Sequence, residues 1–311
     1  MNRNTALVLG AAIVVLAVVL FLIFTGGEPE PEPTPSPTAS EEPSPSASPS
    51  PSFNAELLDN RLTVLLVGLD LNEERQGAVA NTDALMLASI SADQSSVVLV
   101  SLPRDTVDIP LADGGTYRSK INALFSERGI EELVDAMETL FGVPIDGHVT
   151  IDMDDFAALV EAVDGVTVNP AEPLSDPPIG LDVQPGEQLL DGLTALSYVR
   201  SRIDQDYGRM ARQQEVILDL VARLADPDGD VDLGDLLDGL DSLETDLPLG
   251  ELRTLIEIAR RAQDAEVERV LVEPPEMIVA EGDQGDGRGY ILVPDPDAIL
   301  AAVTALIPPD E

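Results

Sequence analysis

Thr-Val-Leu-Leu-Val-Gly-Leu-Asp at 63–70, Asp-Ala-Leu-Met-Leu-Ala at 83–88 and Val-Val-Leu-Val-Ser-Leu-Pro-Arg-Asp-Thr at 97–106 decide the fold of this chain. Each is a short β-branched and leucine-rich run bounded by turn residues, the pattern of strands buried on both faces. They predict strands at 62–67, 84–90 and 97–102. If the first two pair antiparallel, Asp70 and Asp83 meet at one end of the sheet. The third runs out into Arg104 and Asp105, a strand-end position of the kind where α/β sheets place ligands.

Working outward, further strands are predicted at 148–151, 166–168, 270–272 and 291–293. Helical spacing links Ile130, Leu133, Val134, Met137 and Leu140, and again Phe156, Leu159, Val160 and Val163. Leu233, Leu236, Leu237, Leu240 and Leu243 form a third apolar stripe. Strands mixed with helices throughout imply an α/β domain at 53–311, a central mixed sheet flanked by helices on both sides.

The segment ahead of that domain reads differently. Residues 6–24 are apolar or small and carry no charge, long enough at about 1.5 Å per residue to cross most of a bilayer core. Residues 25–52 are rich in Pro, Ser and Glu and favour an extended, disordered spacer. The expectation is an uncleaved transmembrane helix with a cytoplasmic stub at 1–5. Arg3 before the span places the amino terminus in the cytoplasm and the domain outside, tied to the cell membrane.

Net charge is −41, with 58 acidic and 17 basic residues, which argues against binding nucleic acid through the bulk of the surface. Absence of cysteine excludes disulfides, thiolate metal sites and thiol nucleophiles. The single histidine, His148, lies in an apparent strand and reads as structural. An aspartate run at 226–232 lacks the glycine and terminal acid of a calcium loop and reads as a solvated linker.

Against this acidity, Tyr198–Gln214 holds Arg200, Arg202, Arg209 and Arg212. At the chain's average density the thirteen residues 200–212 would hold about 0.7 basic residues, so a local positive field has been kept. Arg209, Arg212 and Gln213 share one helical face, and Arg200 and Arg202 share a face if their stretch is extended. Guanidinium forks match phosphate oxygens. The alternative is arginines paired with Asp204, Asp206 and Glu215 on a solvated helix. Asp70 with Asp83 suits Mg²⁺ beside a phosphoryl group, or two loop-end caps.

Taken together, Leu-Leu-Val-Gly-Leu-Asp at 65–70, Asn-Thr-Asp at 81–83, Leu-Pro-Arg-Asp-Thr at 102–106, Lys-Ile-Asn at 120–122, Ile-Asp-Met-Asp-Asp-Phe at 151–156, Val-Asp-Gly-Val at 163–166 and the arginine segment resemble the LytR-CpsA-Psr family of membrane-anchored bacterial wall proteins. The resemblance implies an apolar tunnel for a polyprenyl chain, and transfer of a glycopolymer from a polyprenyl-pyrophosphate carrier to peptidoglycan, forming a phosphodiester. It implies that Arg104, Lys120, Arg200, Arg202, Arg209 and Gln213 cradle the pyrophosphate, and that Asp70 and Asp83 engage Mg²⁺. Arg212 is added from its helical face, and Asp105 and Asp206 are candidates for the proton acceptor. Asn81 departs from the basic or serine-type residue common there. A pyrophosphate hydrolase and a noncatalytic lipid-binding regulator remain open as alternatives.

Overall fold

The computed structural model describes residues 53–71, 80–224, 243–247 and 252–308. The predicted span, the Pro-rich spacer, the aspartate run and most of the 233–243 stripe lie outside these residues. Among the described residues no helix is long and apolar enough to cross a membrane.

Six strands form the central sheet: β1 (Leu62–Leu69), β2 (Thr82–Ile90), β3 (Ser96–Ser101), β4 (Gly147–Ile151), β5 (Glu244–Thr245) and β6 (Glu266–Leu271), in the order β5-β4-β1-β2-β3-β6. β1 pairs antiparallel with β2 and parallel with β4, and β3 pairs antiparallel with β2 and parallel with β6. The sheet is therefore mixed, as its alternation of helices and hairpins predicts. β6 starts earlier than the apolar run at 270–272 suggests. Its first four residues, Glu-Val-Glu-Arg, are polar but for Val267, as suits an edge strand paired on one side only.

Period-2 alternation along β1 sends Leu62, Val64 and Leu66 into one core and Leu65 and Val67 into another. The first core is closed by α2 (Met153–Ala162), α3 (Gly192–Arg200), α4 (Gln205–Leu224) and α5 (Leu252–Arg261), the second by α1 (Ile130–Phe141) and α6 (Pro296–Leu306). Both faces are covered by helices. Burying each such leucine or valine contributes about 1.5–3 kcal/mol, so a one-residue register slip would reverse every contact. The predicted stripes Leu133, Met137, Leu140 and Leu159, Val160, Val163 are buried against the sheet.

Local capping fixes where the helices begin. Asp152 accepts from the amides of Asp154 and Asp155 at the start of α2, and Asp191 accepts from Thr194 N–H at the start of α3. A Cβ on Gly192 would collide with the Ala157 carbonyl, so this glycine lets α2 and α3 approach closely. A hairpin of β7 (Ile278–Asp283) and β8 (Tyr290–Pro294) lies beyond the sheet. It is tied back to the 102–106 segment by Leu292 N–H donating to Asp105 O and Val107 N–H donating to Leu292 O.

Candidate active site

Asp83 owes its place to an irregularity in the β1–β2 ladder. Gly68 pairs with Ala84 and Leu69 with Thr82, so Asp83 is an extra residue on β2. A bulge of this kind re-aims the side chain it carries. Asp70 N–H donates to Asn81 O at 2.8 Å, keeping Asp70 at the same end of the strand pair. The antiparallel pairing of the two strands is as predicted.

After β3 the chain turns at Pro103, whose carbonyl accepts from Thr106 N–H and Oγ1. The Lys-Ile-Asn segment is laced to this turn by Ile121 N–H to Thr106 O at 2.8 Å and Asn122 N–H to Arg104 O at 3.2 Å. Two sequence blocks 15 residues apart thereby bring Lys120 Nζ to 2.8 Å from Asp105 Oδ1.

The α3–α4 connection carries the arginines, but not on one extended face. α3 continues through Arg200, and Arg202 follows in a short bend that ends at Gln205, whose backbone is left-handed at φ 71. Helix continuation separates the two side chains: Arg200 borders an apolar slot, whereas Arg202 borders a polar cleft. Arg212 faces neither. Its Nε donates to Tyr198 O at 2.9 Å, and its two amino groups reach Ser201 O and Asp204 Oδ2 at 2.5 Å. It lies 5.5 Å over the Tyr198 ring. Sharing a helical face with Arg209 therefore does not give it the same target, because the Tyr198 and Ser201 carbonyls and the Asp204 carboxylate engage all three of its nitrogens. Gly208 makes room for the Asp204 carboxylate, which any Cβ there would meet.

Arg209 is the centre of the arrangement. It is 2% exposed and lies 2.8 Å from Asp206 and 3.9 Å from Asp83. Burial pushes its guanidinium down to about 10, although Asp206 and Asp83 favour the charged form. Asp83 also pairs with Arg104, Asp206 with Arg202 at 2.9 Å, and Asp105 with Arg202 at 3.8 Å and Arg104 at 4.0 Å. Even so, Nε of Arg104, Nε of Arg209 and Oδ2 of Asp206 are buried without a hydrogen-bond partner. Buried donors left unsatisfied are costly and mark where a ligand oxygen would be accepted.

Two hollows meet across this ion-pair chain. The apolar slot, with a cavity volume of about 120 Å³, lies between the sheet and α2, α3 and α4, with Leu66, Met86, Val149, Phe156, Leu196 and Ile217 in its wall. Asp83, Arg200, Arg209 and Gln213 border the same slot. The polar cleft, about 600 Å³, is bordered by Arg104, Asp105, Lys120, Arg202 and Asp206. On its other side stand Tyr207, Glu281, Tyr290 and Leu292. Sequence reasoning missed these four. Tyr207 sits inside the arginine segment, but Glu281 and Tyr290 come from a hairpin with no local motif.

Among the described residues no three carboxylates or histidines cluster as a metal site. The chain offers Asp70 and Asp83 at one sheet end. Two carboxylates fit Mg²⁺ when phosphate oxygens and water complete its octahedron. Peripheral to all this, His148 pairs with Asp246 at 3.0 Å on β4, the structural role predicted for it.

The chain is 32% identical over 198 residues to the polyisoprenyl-teichoic acid–peptidoglycan teichoic acid transferase TagU of Enterococcus faecalis, covering 62% of this chain and 64% of that one. The chain thus spans just under two thirds of the length of the curated relatives it matches first. Its fold is that of B. subtilis TagV, with a TM-score of 0.65 at 22% identity over 80% of this chain and 96% of that one. TagT bound to LI-WTA gives 0.62 at 22% identity, over 82% and 92%. Residues 34–297, most of the chain, match the LytR_cpsA_psr family, and the chain belongs to it.

Proposed function

We propose that this protein transfers a phosphate-linked glycopolymer from a polyprenyl-pyrophosphate carrier to a peptidoglycan hydroxyl. One observation carries the reading: an apolar slot opens on a buried, under-satisfied arginine, Arg209, whose ion-pair partner Asp206 lines a polar cleft. That is the shape of a lipid tail with a doubly charged head. The E. faecalis relative is named for this reaction with teichoic acid as the polymer.

In the reaction the acceptor oxygen attacks the sugar-linked phosphorus in line. The bond from that phosphorus to the bridging oxygen breaks, polyprenyl phosphate leaves, and a phosphodiester remains. Arg209 and Arg104 donate to the oxygens on which charge develops, and Arg200, Arg202, Lys120 and Gln213 hold the head in register. Such preorganised donors lower the barrier because they need no reorientation as charge moves. Asp206 takes the acceptor proton: its Oδ2 has no partner, whereas both Asp105 oxygens already face cations. Arg212 shapes the site through the α3 end. Asp70 and Asp83 would hold Mg²⁺, which when bound would neutralise phosphate charge. Residues 6–24 anchor the protein in the cell membrane, with the domain outside.

The test is a labelled glycan donor incubated with wall oligosaccharide and Mg²⁺. A phosphodiester-linked product is expected. Release of free sugar phosphate alone would make the protein a hydrolase, and binding without any turnover would make it a lipid-binding regulator.

A further inference from the structure

Tyr is scarce in this chain, with four in 311 residues. Two of them, Tyr117 and Tyr198, are core residues at 3% and 1% exposure. The other two, Tyr207 and Tyr290, stand together on the polar cleft, and Tyr290 is 51% exposed. Between them sits Glu281, whose Oε2 accepts from Tyr207 Oη at 3.2 Å. This wall faces the cations and carboxylates already described. Its position is fixed, because β8 is bonded through Leu292 to both Asp105 and Val107. Tyr290 also feels Asp105 and Asp206, which together with burial and Glu281 raise its phenol.

We infer that Tyr290, Tyr207 and Glu281 form the acceptor subsite, binding an uncharged N-acetylhexosamine ring of a glycan strand with one sugar face stacked on Tyr290. The inference rests on the transferase reading above and adds the chemistry of its second substrate. A pyranose ring presents axial C–H bonds on one face, which pack on an aromatic ring, and hydroxyls at its edge, which donate to a carboxylate. An exposed tyrosine on a polar cleft has an apolar body and a polar tip suited to such a ligand. Charge points the same way. Glu281 and the chain's net charge of −41 disfavour an anionic acceptor on this wall, whereas an amide-bearing neutral sugar meets no repulsion. The cleft is continuous with Asp206, so a hydroxyl of a stacked sugar lies on the side from which the phosphorus is attacked.

The experiment uses the full chain in detergent micelles and two separate probes. N-acetylglucosamine tetramer reports the acceptor wall, and farnesyl pyrophosphate reports the slot and cations. Tyr290→Ala is expected to weaken tetramer binding about tenfold or more, the loss of one aromatic stacking contact. Tyr290→Phe should restore it, since the ring rather than the hydroxyl does the stacking, and Glu281→Gln should weaken it less. Farnesyl pyrophosphate affinity should be the same in wild type, Tyr290→Ala and Tyr290→Phe. Equal tetramer affinity in wild type and Tyr290→Ala, or no tetramer binding to wild type at millimolar concentration, would overturn the inference. Failure of wild type to bind farnesyl pyrophosphate would instead overturn the transferase reading.

Discussion

At the scale of single residues, two arginines three positions apart do opposite things. Arg209 is buried among carboxylates yet keeps an unpartnered Nε, and desolvation lowers it to about 10. A group whose folded value is depressed contributes stability only above its unfolded value, and that contribution is lost as pH falls through about 10. Throughout the neutral range its charge therefore opposes folding and is retained for binding. Arg209→Met should abolish or reduce transfer by about 10²–10³-fold, the effect of one preorganised donor, while the thermal midpoint stays equal or rises. A clear fall in the midpoint would make Arg209 a structural residue. In wild type, pyrophosphate affinity should fall as pH passes through about 10. Arg212 holds two backbone carbonyls and the Asp204 carboxylate. Arg212→Ala should cost about 3 kcal/mol in denaturant unfolding, and an unchanged midpoint would contradict its role as the clamp of the α3 end.

At the scale of elements, the slot exists because α2, α3 and α4 stand off the sheet where Phe156, Leu196 and Ile217 line empty space. Ile217→Trp should fill that space. It is expected to leave farnesyl pyrophosphate bound, exclude a carrier of undecaprenyl length, and cause little loss of stability, since it adds volume to a void. Equal binding of short and long carriers by this variant would move the lipid elsewhere. The sheet was legible in the sequence because strands buried on both faces leave long apolar runs, as at 62–67 and 84–90. The ion-pair pocket was legible as well: Arg104, Lys120, Arg202 and Arg209 converge with Asp83, Asp105 and Asp206. Three features were not. The slot's wall has the same apolar spacing as packed core, so periodicity cannot separate filled from empty. Arg200 and Arg202 diverge because α3 runs on to Arg200, and helix ends are set by which carbonyls find donors, here those of Arg212. Tyr290 and Glu281 reach the site through β-bridging at Leu292, a contact across more than 180 residues that no local pattern announces.

At the scale of the whole molecule, a cation-lined pocket sits in a chain of net charge −41. Close contacts attract the pyrophosphate, but the far field repels it. Screening acts first on the long-range part. The association rate of farnesyl pyrophosphate should therefore rise as salt goes from about 10 mM to about 0.3 M, in contrast to a protein with a basic surface. A falling rate would mean the pocket's own field extends beyond its rim. The central claim is that one site holds both tail and head of a polyprenyl pyrophosphate, and native mass spectrometry of the full chain from detergent micelles tests it most directly. Wild type should carry a bound polyprenyl phosphate or pyrophosphate, Arg209→Met and Arg202→Ala should carry markedly less, and Arg260→Ala, on the far helix α5, should match wild type. Equal lipid on all four proteins, or none on wild type supplied with polyprenyl pyrophosphate, would contradict the account.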